Sequence, residues 1–133
     1  MFTITKAFIA LMAATAVVAA PNKRQSFDFT TCDFVMSPDT TVSPGSINLD
    51  TEFNFVIGRS LGEQVPNTEL EGSNVSITDN GNNTFTVVRT AAVDGKTAAQ
   101  TASILTGLVG TTTNGFANNA AIDWTFVSVS CDA

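Results

Sequence analysis

The side chains best suited to chemistry in this chain are carboxylates. Asp50 and Glu52 stand two positions apart in "INLDTEFNFVI", Ile47 to Ile57. On an extended strand that spacing puts them about 7 Å apart on one face. An inverting glycoside hydrolase holds its two carboxyl groups about 6.5–9.5 Å apart, one as general acid and one as general base. Acids alternating along the wet face of a strand are also what solubility alone requires, and solvation is the stronger expectation for both.

Other reactive constellations are missing. The chain contains no histidine and no tyrosine. That excludes Ser-His-Asp and Cys-His nucleophile systems and removes the commonest zinc ligand. "DGKT", Asp94 to Thr97, lacks the upstream glycine and the spacing of a phosphate-binding loop. "DNGNN", Asp79 to Asn83, has a faint likeness to a calcium loop but neither the EF-hand spacing nor its closing glutamate. Its Asn and Gly residues suit a tight reversal better, because they tolerate positive φ. The expectation is a chain with no catalytic residue, no metal site and no cofactor.

Trp124 is the single tryptophan. Exposed, its ring could stack on a sugar; flanked in phase by Ile122 and Phe126, it reads as core. Cys32 and Cys131 are the only cysteines, so a disulfide between them has one connectivity. Such a bridge would close almost the whole chain and contribute up to about 4–5 kcal/mol in the chain-entropy account. A reactive or metal-binding thiol pair has no CxxC and no histidine to support it. Two sequons, Asn74-Val75-Ser76 and Asn82-Asn83-Thr84, mark Asn74 and Asn82 as acceptors for N-glycosylation. By phase Asn74 points to the wet face of its strand, and Asn82 sits in a turn.

These residues need elements to hold them. Ile47, Leu49, Phe53, Phe55 and Ile57 share one phase of a period of two, and Asn48, Asp50, Glu52 and Asn54 share the other. That predicts a strand over 47–57 with one dry face. Helix is rejected there because a period of 3.6 scatters the phenylalanines around the axis. "NVSITDNGNNTFTVV" predicts a hairpin, with Val75 and Ile77 inward before the turn and Phe85 and Val87 inward after it.

Both chain ends read as strands with a change of phase. Phe27 and Phe29 are out of step with Cys32 and Phe34; Ile122, Trp124 and Phe126 are out of step with Val127, Val129 and Cys131. A bulge, or a strand dry on both faces, accounts for such a shift. One segment has helical spacing: Ala98, Ala102, Leu105 and Val109, entered through a Thr97–Gln100 capping box. A helix over 97–109 stopping at Gly110 is predicted. Ser37–Ser46, Ser60–Asn67 and Gly110–Ala121 are predicted loops.

The N-terminus has the layout of a secretory leader. Met1 to Lys6 carries one cation and no acid, and "AFIALMAATA" is apolar or small throughout. The run is too short for a bilayer span of about 20 residues. Val17 and Ala19 are small residues at the −3 and −1 positions of a cleavage site after Ala19. Lys23-Arg24 then forms a dibasic processing site closing a short pro-segment, 20–24, and the mature chain starts at Gln25. Its residues hold three cations, Arg59, Arg89 and Lys96, against all twelve acids, a net charge of −9. A surface so acidic repels phosphate backbones and anionic lipids, so neither nucleic acid nor membrane is expected as a partner.

A leader ending "AVVAAP", the "KRQ" processing site, and a short, Phe-rich, acidic chain with two cysteines resemble the small secreted proteins of filamentous fungi, the basidiomycetes in particular. The resemblance implies an extracellular protein, in some members an effector acting on hosts or neighbours, and carries over no catalytic residues. Hydrophobins and cerato-platanins have more cysteines. The expected fold is one α+β domain over 25–133, an antiparallel sheet of about five strands with one helix on its dry face. An all-β sandwich is the alternative if 97–109 is a strand. The expected function is a non-catalytic interaction protein whose partner is an extracellular protein or glycan. A small carbohydrate-binding module and, more distantly, a carboxylate-based hydrolase are the alternatives.

Overall fold

The computed structural model describes residues 25–43 and 45–133. The expected cleavage at Ala19 and at Lys23-Arg24 lies outside the described residues. The chain runs through β1 (Thr30–Pro38), α1 (Leu49–Gln64), β2 (Leu70–Asp79), β3 (Phe85–Val93), α2 (Ala98–Thr106), β4 (Thr112–Asn114), a 3-10 turn (Ala117–Asn119) and β5 (Asp123–Cys131). One antiparallel sheet takes all five strands in the order β2-β3-β1-β5-β4. Helix α1 leads from β1 to β2, which flank β3. Helix α2 leads from β3 toward β5, which flank β1. This is the split β-α-β plan used twice, a ferredoxin-like connectivity with β4 added at one edge. The α+β expectation with five strands holds, and the sandwich alternative does not.

Both helices cover one face of the sheet. Cys32, Phe34 and Met36 of β1, Phe85 and Val87 of β3, and Trp124 and Phe126 of β5 point into a single core. Phe53, Val56, Ile57 and Leu61 of α1 meet them there, with Leu105 of α2. Its aromatic centre is tightly interlocked: Trp124 stands edge-on to Phe53 at 4.7 Å between centroids and to Phe85 at 5.9 Å. Such aromatic contacts add to the burial itself. Among the described residues no helix covers the opposite face of the sheet. Across it the register aligns Thr31, Thr90 and Ser73 in one row and Ser128, Val35, Thr86 and Thr78 in another.

The change of phase in the last strand is a bulge. The β1–β5 register passes from Val35↔Ser128 to Met36↔Phe126, leaving Val127 as the extra residue, 49% exposed. Trp124 and Phe126 therefore face inward before the bulge, and Val129 and Cys131 after it. No such bulge exists in β1: its register with β3 is continuous, and Phe27 and Phe29 precede the strand. A second bulge, unforeseen, lies in β2. Asn74 pairs with Arg89 and Ser76 with Val88, so Val75 is extra and 64% exposed. The hairpin is as predicted, with Gly81 and Asn83 at positive φ, but Val75 does not face the core.

The segment predicted as a strand over 47–57 is instead the first half of α1. Its buried stripe is Phe53, Val56, Ile57, Ser60 and Leu61, with Leu49 packed beside them. Those positions follow the i, i+4, i+7, i+8, i+11, i+12 pattern of an amphipathic helix. Asn48 caps the helix, its side-chain oxygen accepting from Thr51 N at 3.1 Å. Ser60 to Gln64, predicted as loop, completes it. Among the described residues there are thus two packed helices rather than one.

Helix α2 begins as predicted, with the reciprocal Thr97–Gln100 capping box in place. It ends a turn early, at Gly107, and i→i+3 bonds carry the chain on to Thr111. The N-terminal stretch is tied to this region. Ser26 N donates to Asp94, Gly95 N donates to Ser26 O, and Asp28 accepts from Ala98 N.

Candidate functional site

Because 47–57 is helical, Asp50 and Glu52 do not share a face. Residues two apart on a helix point roughly 200° away from each other. Asp50 is exposed, whereas Glu52 is 1% exposed. They cannot converge on one substrate as an acid–base pair, so the geometry expected of a glycosidase is not formed by these two residues.

Glu52 is the most unusual group in the fold. Its carboxylate enters the core from the first turn of α1, with no basic residue among its hydrogen-bonding partners in the described residues. Trp124 Nε1 donates to Oε1 at 2.8 Å; Phe116 N and Asn119 Nδ2 each donate to Oε2 at 3.1 Å. An unpaired buried carboxylate is very costly. Hydrogen bonds to a charged acceptor are among the stronger ones, and three of them offset that cost here. The donors come from β5 and from the loop between β4 and β5. Glu52 thus ties the N-terminal end of α1 to the far side of the sheet.

The loop fits Glu52 closely at Gly115. A Cβ there would collide with the Glu52 carboxylate and with the carbonyl of Asn119. Only a residue without a side chain lets the loop close over the acid. Gly115 N also donates to Ile122 O at 2.8 Å, holding the loop base.

A second polar cluster lies where α1 meets the β2–β3 hairpin. Arg89, 7% exposed, occupies an inward position on β3. Its Nη1 donates to Asn54 Oδ1 and, at 3.0 Å, to Asn74 Oδ1. Asn74 Nδ2 in turn donates to Asp50 O at 2.9 Å and to Asp50 Oδ1 at 3.1 Å. Burial pulls the Arg89 guanidinium below its usual range, and the Asp50 charge offsets part of that. Asn74 therefore faces the helix-covered side, not the wet face, because the Val75 bulge reverses the phase ahead of it. A Cβ at Gly58 would lie 3.9 Å from Arg89 Nη2, an ordinary contact, so the guanidinium does not depend on the glycine.

Cys32 and Cys131 face each other across β1 and β5 and are joined as a disulfide. Trp124 is fully buried, which removes it as a sugar-stacking surface. Asn82 is exposed at the hairpin tip, as expected. The Asp79–Asn83 segment borders a shallow open cleft with Thr41, Val42 and Ser43. Among the described residues no three His, Cys, Asp or Glu side chains gather to hold a metal ion. On the surface, Phe116, 40% exposed, packs on Phe55 at 4.9 Å between centroids. Arg59 lies over the Phe55 ring at 5.8 Å and pairs with Glu63 at 3.0 Å.

A period of two places Glu52 on a wet face in a segment where that period fails. Arg89 continues the inward phase of Phe85 and Val87, and its role comes from Asn54 and Asn74, which only the fold brings to it. The signal that could have found Glu52 was the Asn48 cap followed by the 49-53-56-57-60-61 stripe. Nothing in the one-dimensional pattern marks the Val75 bulge.

A scan of protein-family models finds no match to this chain, and searches of curated proteins and of solved structures find none either. No described helix is long and apolar enough to cross a membrane.

Proposed function

We propose that this chain is a secreted, non-catalytic interaction protein that meets an extracellular protein or glycan. The observation that carries the reading is the state of its polar groups. Glu52 and Arg89, the buried charges that could have formed a reaction centre, have their hydrogen bonds within the fold and hold α1 in place. The surface left over is acidic, with one sheet face that no helix among the described residues covers. The disulfide fits an oxidising compartment. The resemblance to small secreted fungal proteins supports the same reading, as does the leader-like N-terminus. The test is intact mass of protein recovered from culture medium, followed by affinity capture of extracellular material. A mature chain beginning at Gln25, with pyroglutamate there, and a captured partner support the proposal. A chain retained in the cells, or one beginning at Ala20 or Met1, counts against the processing and secretion it assumes.

A carbohydrate-binding module is the second reading, and the Phe55–Phe116 pair favours it. The exposed Phe116 ring, packed on the half-buried Phe55 with the Arg59 guanidinium over it, suits sugar stacking. Binding to chitin, glucan or cellulose that is lost in Phe116→Ala, with stability retained, would move this reading ahead. The carboxylate-based hydrolase stays last, since its proposed pair diverges.

A further inference from the structure

Two sequons compete for one role, and the fold treats their asparagines differently. We infer that Asn82 alone carries an N-linked glycan in the folded protein, while Asn74 is a structural amide that cannot. The inference rests on the secreted reading, since glycans of this kind are added in the secretory pathway.

Modification joins the sugar to the amide nitrogen. The Asn82 nitrogen attacks the anomeric carbon of a lipid-diphosphate-linked oligosaccharide. The new N–C bond replaces the C–O bond to the diphosphate, which leaves with its electron pair, and one amide proton passes to a base of the transferase. The acceptor nitrogen must therefore be free of the fold and open to a bulky donor.

Asn82 meets both conditions. It is exposed at the hairpin tip, and among the described residues its oxygen, not its nitrogen, is engaged, accepting from Thr84 Oγ1. The sequon's hydroxyl and its amide are thus already side by side. The neighbouring Asn83 holds the tip in place: its Oδ1 accepts from Val42 N and its Nδ2 donates to Thr40 O, each at 3.0 Å. Asn82 projects from a fixed platform, so a glycan there displaces nothing.

Asn74 meets neither. Its Nδ2 donates twice to Asp50 under the first turn of α1, and its Oδ1 receives the Arg89 guanidinium. A sugar on that nitrogen would break the Asp50 contacts and push α1 off the β2 edge. A chain glycosylated there before folding could not complete this junction.

The test is expression of the complete chain in a glycosylating yeast, with a host leader fused ahead of Met1 so that entry does not depend on the chain's own leader. The same chain without the fused leader tests the secretion reading separately. Secreted protein is measured by intact mass before and after peptide N-glycosidase, and the bearing asparagine is located as aspartate in the peptide map. One glycan, on Asn82, is expected. It should vanish in Asn82→Gln and in Thr84→Val, and persist unchanged in Ser76→Ala, which silences the other sequon without touching Asn74. Folded, secreted protein with no glycan on Asn82, or with any on Asn74, would overturn the inference.

Discussion

The two helices of this fold are held in opposite ways. Helix α2 has local signals at both ends: a reciprocal capping box starts it and a glycine ends it. It also has a distant tie, Asp28 accepting from Ala98 N. Helix α1 has a local cap in Asn48, but its position depends on partners far away in sequence: Trp124, Phe116 and Asn119 on Glu52, and Arg89 on Asn54. Most helical stability in proteins comes from tertiary packing. The difference teaches where polar groups in a small domain become decisive. They are worth most where an element has the weakest local instructions.

The largest break in that comparison should come from Trp124→Ala. It removes a fully buried indole and leaves Glu52 Oε1 without its donor, so a loss of about 3–5 kcal/mol is expected in denaturant unfolding. A stable variant would show that α1 does not depend on β5. Cys131→Ser acts on both helices alike, because the disulfide joins the strands beneath them. It should cost about 2–5 kcal/mol, and native protein should show no thiol reactive without denaturant.

Gly115→Ala sharpens the contrast. Its methyl must displace the Glu52 carboxylate or the loop, at about 1–3 kcal/mol for an overpacked site. Amide hydrogen exchange should quicken in α1 more than in α2. Thr97→Ala should do the reverse, costing about 1 kcal/mol and loosening α2 amides first. Equal exchange in both helices for both variants would dissolve the distinction.

The smallest effect is at the C-terminal end of β5. Thr31 N and Thr30 Oγ1 both donate to Asp132 Oδ1, at 2.9 Å each, and hold its carboxyl below the usual carboxylate range. A folded value below the unfolded one stabilises at pH above the ordinary 3.8, and that stabilisation is lost as pH falls through the folded value. An NMR titration should therefore place Asp132 below ordinary aspartates. Asp132→Asn should flatten the acid-side loss of stability slightly.

How much could be read from the sequence follows the same division. The hairpin, the α2 cap, the terminal disulfide and the bulge at Val127 each have a signal within a few residues: Asn-Gly chemistry, a Thr-x-x-Gln spacing, a lone cysteine pair, a broken alternation. Over 47–57 the strand reading competes with helix because Leu49, Phe53 and Ile57 satisfy both periods, and Phe55 tips the balance toward a strand. Phe55 is only half-buried, against Phe116 on the surface side. A window carried on through Ser60 and Leu61 breaks the tie toward helix. The inward turn of Asn74 has no such signal, because an added residue in an edge strand leaves no mark in a run of small polar side chains; Arg89 follows the Phe85 and Val87 alternation inward. The buried state of Glu52 follows from the helix and from the loop that closes over it, which only the tertiary fold brings together.

The central claim is that Glu52 is a clamp rather than a reactive acid, and Glu52→Gln tests it most directly. Glutamine keeps the size and one acceptor oxygen but sets an NH2 group against donors that need an acceptor. The account predicts a lower denaturation midpoint at unchanged m-value, a loss of about 2 kcal/mol, with Trp124 emission more readily quenched. An acid kept for chemistry is commonly held at the expense of stability, and its replacement leaves stability the same or higher. A Glu52→Gln protein as stable as the wild type, or more so, would contradict the clamp.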